Sequence, residues 1–244
     1  IERVNLFSKS SVTVNIPSTS RLTAVHSLDY NSGLDNIGSR TFRSGDQNSY
    51  WTQLPGTATE ATLVKSIWPN TYIISRKITK SDIYRELQEA DIFHIATHAG
   101  YNSNSALLNQ SAFLVLDSAN HFVKTGILSD YFSSFFDIGD VLALDSIYSK
   151  LIVLSACNTG RGGGNSVLSS ISFPKILCLK GAQYVIASYW EVNDSTVSLI
   201  FSEFYKRLKE NGGDVPAAFS STQLTLLENG VNFETVHSFN LISL

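Results

Sequence analysis

Two runs in this chain, residues 151–154 (LIVL) and 184–187 (YVIA), are apolar without a break. A strand with one face in water alternates apolar and polar side chains, so an unbroken apolar run must be covered on both faces. Such strands belong to a central, mostly parallel sheet with helices on each side, and the expected fold is a three-layer α/β/α sandwich. The rest of the chain is consistent with this. Strands are expected over 21–29, 71–75, 91–97, 112–117, 151–156 and 184–190. Helical spacing is found over 57–67, 81–90 (capped by Ser81, with Asp82 in the first turn), 166–180, 194–210 and 214–228. Residues 1–20 alternate weakly and form an extension or edge strand before Pro17. The polar stretch from 30 to about 55 is expected as loop. No period of 20 to 50 residues recurs, which excludes a repeat array.

With 244 residues and 43% hydrophobic content, the chain can bury one large core. We therefore expect an N-terminal extension over 1–20 and one domain over 21–244. The net charge is −3, with lysine and arginine scattered. No basic footprint for nucleic acid or an anionic membrane is present. The apolar runs fall short of the roughly 18 residues a membrane span needs, and no cationic start leads into an apolar stretch. Only Cys157 and Cys178 are present, outside any C-x-x-C or Cys/His zinc spacing, so a reducing, cytoplasmic setting is expected. The chain opens at Ile1 and has no methionine, which points to a segment of a longer protein.

In parallel sheets, reactive groups collect outside the carboxyl ends of the strands. His98, Cys157 and the turn 190–194 are expected at that rim. A cysteine ending a buried strand is ordinarily a small hydrophobe. Cys157, however, is followed by Asn158, Thr159 and Gly160 and then by Gly162 to Gly164, which leaves the thiol at a chain reversal. Cys178 lies within a helical pattern and reads as core. His94 and His98 have the spacing of a zinc-binding helix, but the glutamate that should follow the first histidine is absent and the context is β-branched. His94 then reads as a core histidine bonded to a neighbour, and His98, where the strand yields to a loop, as the one facing substrate. The glycine run lacks the lysine of a phosphate-binding loop and the G-x-G-x-x-G spacing, which argues against a nucleotide-binding module. No G-x-S-x-G elbow and no acid and base carboxylate pair stands out. Thiol chemistry is the reading that remains.

Five segments, 54–60 (LPGTATE), 93–100 (FHIATHAG), 151–160 (LIVLSACNTG), 181–194 (GAQYVIASYWEVND) and 204–208 (FYKRL), taken in this order and spacing, closely resemble the CHAT domain. That family is a caspase-like cysteine peptidase domain related to caspases, metacaspases and separase. The resemblance implies the caspase-haemoglobinase fold, with His98 as the catalytic histidine and Cys157 as the nucleophile, and no metal or organic cofactor. It also implies an oxyanion hole built from the backbone N–H groups of Cys157 and of Ala99 or Gly100. Each such donor is typically worth about 3 kcal/mol of transition-state stabilisation. Two departures stand out: Ala99 replaces the glycine that usually follows the histidine, and the family's C-terminal aromatic strand is degraded over 236–244.

Trp190 and Asp194 fall where a substrate wall would form, and Asp117 is a further acidic candidate at the same rim. Each has a structural alternative: Trp190 as a core aromatic, Asp194 as a helix N-cap, Asp117 as a turn former. The polar loops 31–56 and 101–110 are expected to affect access. Family members are often fused to tetratricopeptide or other sensor repeats that switch them on. The expected function is a cysteine endopeptidase acting on a protein substrate. The alternative is a catalytically silent caspase-like scaffold that binds a protein partner.

Overall fold

In the computed structural model, residues 14–26, 28–31, 51–75, 77–101, 112–156, 172–190 and 194–244 are described. The first half of the chain runs β1 (Leu22–Val25), α1 (Gly56–Ile67), β2 (Thr71–Ile74), α2 (Lys80–Glu89), β3 (Ile92–Ala96), β4 (Ala99–Tyr101) and β5 (Ala112–Val115). Three short helices then surround a short strand: α3 (Ala119–Thr125), α4 (Leu128–Ser134), β6 (Phe135–Asp137) and α5 (Ile138–Leu142). The chain continues through β7 (Leu151–Ser155), α6 (Phe173–Leu179), β8 (Tyr184–Ser188), α7 (Asp194–Glu210), α8 (Val215–Glu228), α9 (Phe233–Val236) and β9 (Phe239–Ile242).

Six strands form the central sheet in the order β2-β1-β3-β7-β8-β9, parallel except for the antiparallel β8–β9 pair. The unbroken apolar runs have a direct explanation in this sheet. Along β3 and β7, Phe93, Ile95, Ile152 and Leu154 pack into one core with α2 and α6. Their neighbours Ile92, Leu151 and Val153 pack into a second core with α1, α7 and α8. Both faces are dry, and alternation has nothing to report. The three-layer sandwich expected from the sequence is the observed fold.

Helix α2 starts two residues earlier than a Ser81 cap would allow. Thr79 is its N-cap: its hydroxyl accepts from Asp82 N–H, and the Asp82 carboxylate accepts from Thr79 N–H at 3.0 Å. This reciprocal box satisfies two backbone donors, whereas a Ser81 cap would satisfy one. Although the family's aromatic pattern is degraded there, the C-terminal segment forms β9 along β8. Phe239 is buried there, its ring centroid 4.9 Å from that of Phe201. Of the expected extension, residues 14–20 form no strand. They are tied to the α7–α8 turn by Ile16 N–H, which donates to the Gly213 carbonyl at 2.9 Å. Gly213 has φ +88° and a side chain there would overlap the Ile16 backbone, so only glycine permits this approach. A second, antiparallel sheet in the order β4-β5-β6, which the sequence did not announce, lies over the α2 and α6 face.

Candidate active site

Strand β3 ends at Ala96, and two residues later His98 stands half-buried at the carboxyl edge of the sheet. Its ring packs against two aromatic side chains, with centroids 5.1 Å from Tyr30 and 5.2 Å from Trp51. His98 Nε2 lies 2.7 Å from the Thr52 carbonyl oxygen. A carbonyl only accepts, so Nε2 carries hydrogen and Nδ1 is the basic nitrogen of the neutral ring.

The backbone around His98 is held as firmly as its ring. Thr97 Oγ1 donates to the Val115 carbonyl, Tyr30 O–H donates to Thr97 Oγ1 at 3.0 Å, and His98 N–H donates to the Tyr30 oxygen at 3.3 Å. Each hydroxyl donates once, and the chain of bonds closes without conflict. The His98 carbonyl accepts from Val115 N–H at 2.9 Å. Ala99 and Gly100 open β4, opposite Leu114 and Phe113. A side chain at Gly100 would collide with the Phe113 ring, which accounts for glycine there by packing.

Cys157 lies outside the described residues, as does the glycine run after it. The structure does describe the strand that leads to it. Ala96 of β3 pairs with Ser155 of β7, and Thr97 N–H donates to the Ser155 carbonyl at 3.2 Å. His98 is two residues beyond Ala96, and Cys157 two beyond Ser155. The Ala156 carbonyl accepts from Ser188 Oγ at 2.6 Å.

Beneath this edge lies a buried polar chain. Glu60, in α1, places Oε1 2.8 Å from His94 Nε2 and Oε2 3.1 Å from Ser155 Oγ. His94 Nδ1 lies 3.0 Å from the Tyr205 hydroxyl. Burial, reinforced by the Glu60 charge, pushes the Tyr205 phenol well above its ordinary pKa. Tyr205 therefore keeps its proton and donates to His94 Nδ1, so that His94 Nε2 donates to Glu60. The core-histidine reading of His94 is the observed one, and Glu60 ties α1 to both strands that lead to His98 and Cys157.

The substrate-wall candidates are placed unevenly. Trp190, two residues beyond β8, is 39% exposed at the same sheet edge and is not a core aromatic. Asp194 is the first residue of α7, and its side chain lies outside the described residues. Asp117 is 3% exposed. Its Oδ1 accepts from Asp29 N–H at 2.6 Å and its Oδ2 from Ile78 N–H at 2.7 Å. Burial raises its pKa against the pull of those two bonds. Its carboxylate joins two backbone segments distant in the chain, which neither a substrate wall nor a local turn describes. Most of the two access loops, 32–50 and 102–111, is also outside the described residues.

Sequence reasoning overlooked Tyr30, Trp51 and Thr52, which contact His98 across 46 to 68 residues of chain. A tryptophan ending a polar stretch was the available signal, because a large apolar side chain there needs somewhere to be buried. Among the described residues, no group of three or more histidine, cysteine and acidic side chains is placed to hold a metal ion. No described helix is long and apolar enough to cross a membrane.

A family model described as the CHAT domain matches residues 6–237. No curated protein matches the chain. Among solved structures, the Saccharomyces cerevisiae separase–securin complex aligns with TM-score 0.53 at 11% identity, over 96% of this chain and 12% of that one. The Arg-specific cysteine proteinase gingipain R aligns with TM-score 0.48 at 12% identity, over 94% of this chain and 48% of that one. The chain thus spans less than half the length of either. At such identities the likeness concerns the fold, and the parallel sheet, its two helical layers and the separase alignment agree on it. The chain belongs to the CHAT domain family and has a caspase-haemoglobinase-like α/β/α fold.

Proposed function

We propose that this domain is a cysteine endopeptidase in which Cys157 is the nucleophile and His98 the general acid and base. The observation that carries this reading is the docking of His98 Nε2 on the Thr52 carbonyl, which leaves Nδ1 as the basic nitrogen at the sheet edge. The matched two-residue spacing of His98 and Cys157 from the paired Ala96 and Ser155 supports it.

A free thiol has a pKa of about 8.5 and is only a few per cent thiolate at neutral pH, so an adjacent imidazole raises the reactive fraction. The Cys157 sulfur attacks the peptide carbonyl carbon, and its proton passes to His98 Nδ1. The tetrahedral oxyanion is met by the backbone N–H of Cys157 and that of Ala99 or Gly100. The C–N bond breaks, His98 gives its proton to the departing amine, and a thioester remains. Water, deprotonated by His98, attacks the thioester, and the thiol is recovered as the acid product leaves. Every step uses groups of the chain and water. Trp190 and Asp194 form the substrate wall, the substrate is a protein or peptide, and neighbouring domains such as tetratricopeptide repeats switch the site on in a cytoplasmic setting.

The test is cleavage of a diverse peptide library by wild type and Cys157→Ala, with the longer protein beside this segment. Cleavage lost in the variant is the expected result. Equal cleavage by both forms, or none by either even in the longer protein with its activator, contradicts the peptidase reading.

A further inference from the structure

We infer that Asn120 is a positioning residue for His98, acting through the backbone of Trp51 and Thr52; the inference rests on His98 being the acid and base of the proposed peptidase. Asn120 is the second residue of α3 and is wholly buried. Its Oδ1 accepts from Trp51 N–H at 2.6 Å, and its Nδ2 donates to the Trp51 carbonyl at 2.8 Å. The side-chain amide thus meets both backbone groups of Trp51, as a neighbouring strand would. Its second N–H reaches Asn31 Oδ1 at 2.6 Å, and its own backbone N–H donates to the Tyr30 carbonyl at 2.9 Å. Reversing the amide would set oxygen against oxygen and N–H against N–H, so the partners fix its orientation.

Of the residues that touch the His98 ring, Trp51 and Tyr30 are bonded directly to Asn120, and Thr52 follows Trp51 in the chain. The Trp51 and Tyr30 rings both pack against the imidazole, and the carbonyl that follows Trp51 in the chain, that of Thr52, accepts from Nε2. Asn120 also bonds to Asn31 and Trp51, the two residues that bracket segment 32–50. The turn that presents it is anchored in turn: Ser118, at φ +65°, donates its N–H to the Asp29 carbonyl at 3.0 Å, and Asp117 holds Asp29 and Ile78. A non-glycine residue in the left-handed region persists where its surroundings over-determine it.

A role confined to filling space would need only an apolar side chain of this volume. The matched donors and acceptors instead fix both backbone groups of Trp51, and the next carbonyl in the chain, that of Thr52, selects the Nε2–H tautomer of His98. Removing Asn120 frees Trp51 and Thr52 to move, and Nδ1 ceases to be reliably the base.

The experiment reads the His98 ring by long-range proton–nitrogen NMR in wild type, Asn120→Ala and Asn120→Asp, beside peptide cleavage. In wild type His98 is expected as the Nε2–H tautomer. In both variants that preference is lost, while the His94 signals stay in place. kcat falls about tenfold to a hundredfold with KM unchanged, the usual consequence of a small misplacement of a reacting group. Folded variants that keep the His98 tautomer and kcat overturn the inference. So does loss of the His94 signals together with those of His98, which would mark a general structural effect. If neither variant folds, amide exchange of Trp51 in wild type decides: protection supports the role, and exchange at the rate of an open loop overturns it. A wild type that cleaves nothing, even in the longer protein with its activator, defeats the peptidase reading, while the tautomer and Trp51 exchange still decide whether Asn120 holds the His98 ring.

Discussion

Asp117 illustrates how a buried acid can serve the backbone. Each of its oxygens accepts one N–H, from segments 88 and 39 residues away in the chain, and no water-facing role is needed to account for it. Asp117→Asn preserves the shape but turns one acceptor into a donor facing another donor. We expect it to lower stability by about 1–3 kcal/mol, the cost of leaving a buried N–H unsatisfied, measured as a shift of the urea midpoint. An unchanged midpoint would mean that the turn at 117–120 holds without it. Sequence spacing pointed to this residue as an acid at a strand end, and it does follow β5 by two residues. It carried no sign that the partners would be the Asp29 and Ile78 amides, because backbone donors leave no trace in a sequence.

Among the elements, the central strands were the most legible, since apolar runs buried on two faces allow few other arrangements. Helices α1, α7 and α8 lie within a residue or two of their expected bounds. Thr79 displaced Ser81 as the cap of α2 because the capping box with Asp82 depends on which hydroxyl precedes the first turn, a choice that a threonine and a serine two residues apart leave open. The segment from α3 to α5 was not anticipated, because strands of three residues and helices of five to seven fall below the length at which periodicity discriminates. Strand β9 was undervalued for a different reason: its burial pattern shows Phe239 buried and the next three residues half-buried, an edge strand with little apolar signature. Its anchor is the Phe239 ring against Phe201. Phe239→Ala should cost about 3–5 kcal/mol and loosen β9, read as faster amide exchange at Asn240 and Leu241. A variant of native stability would show that β9 contributes little to the sheet.

For the molecule as a whole, the burial of His26 makes the fold sensitive to acid. Burial is the main cause holding the His26 pKa below 6.5, with Glu60 opposing and His94 reinforcing. A depressed histidine is neutral in the fold and protonates more readily when unfolded. Its contribution is therefore complete above the ordinary value of 6.5 and is lost as pH falls through that value toward the folded one. We expect the urea midpoint to drop as pH is lowered from about 7 to about 5, and His26→Gln to drop less over the same range. Parallel curves would exclude His26 as the cause.

The account as a whole depends on His98 acting on Cys157, and the reactivity of that thiol tests this without knowledge of the substrate. Cys178 supplies an internal control, since burial pushes its pKa up to about 11 and keeps it silent near neutrality. The measurement is the rate of Cys157 carboxymethylation by iodoacetate against pH, followed by mass spectrometry of its peptide, in wild type and His98→Ala. The account predicts that wild type reacts well below the pH at which an ordinary thiol of pKa about 8.5 ionises, and that His98→Ala returns the profile to that of an ordinary thiol. Identical profiles in the two proteins would contradict it.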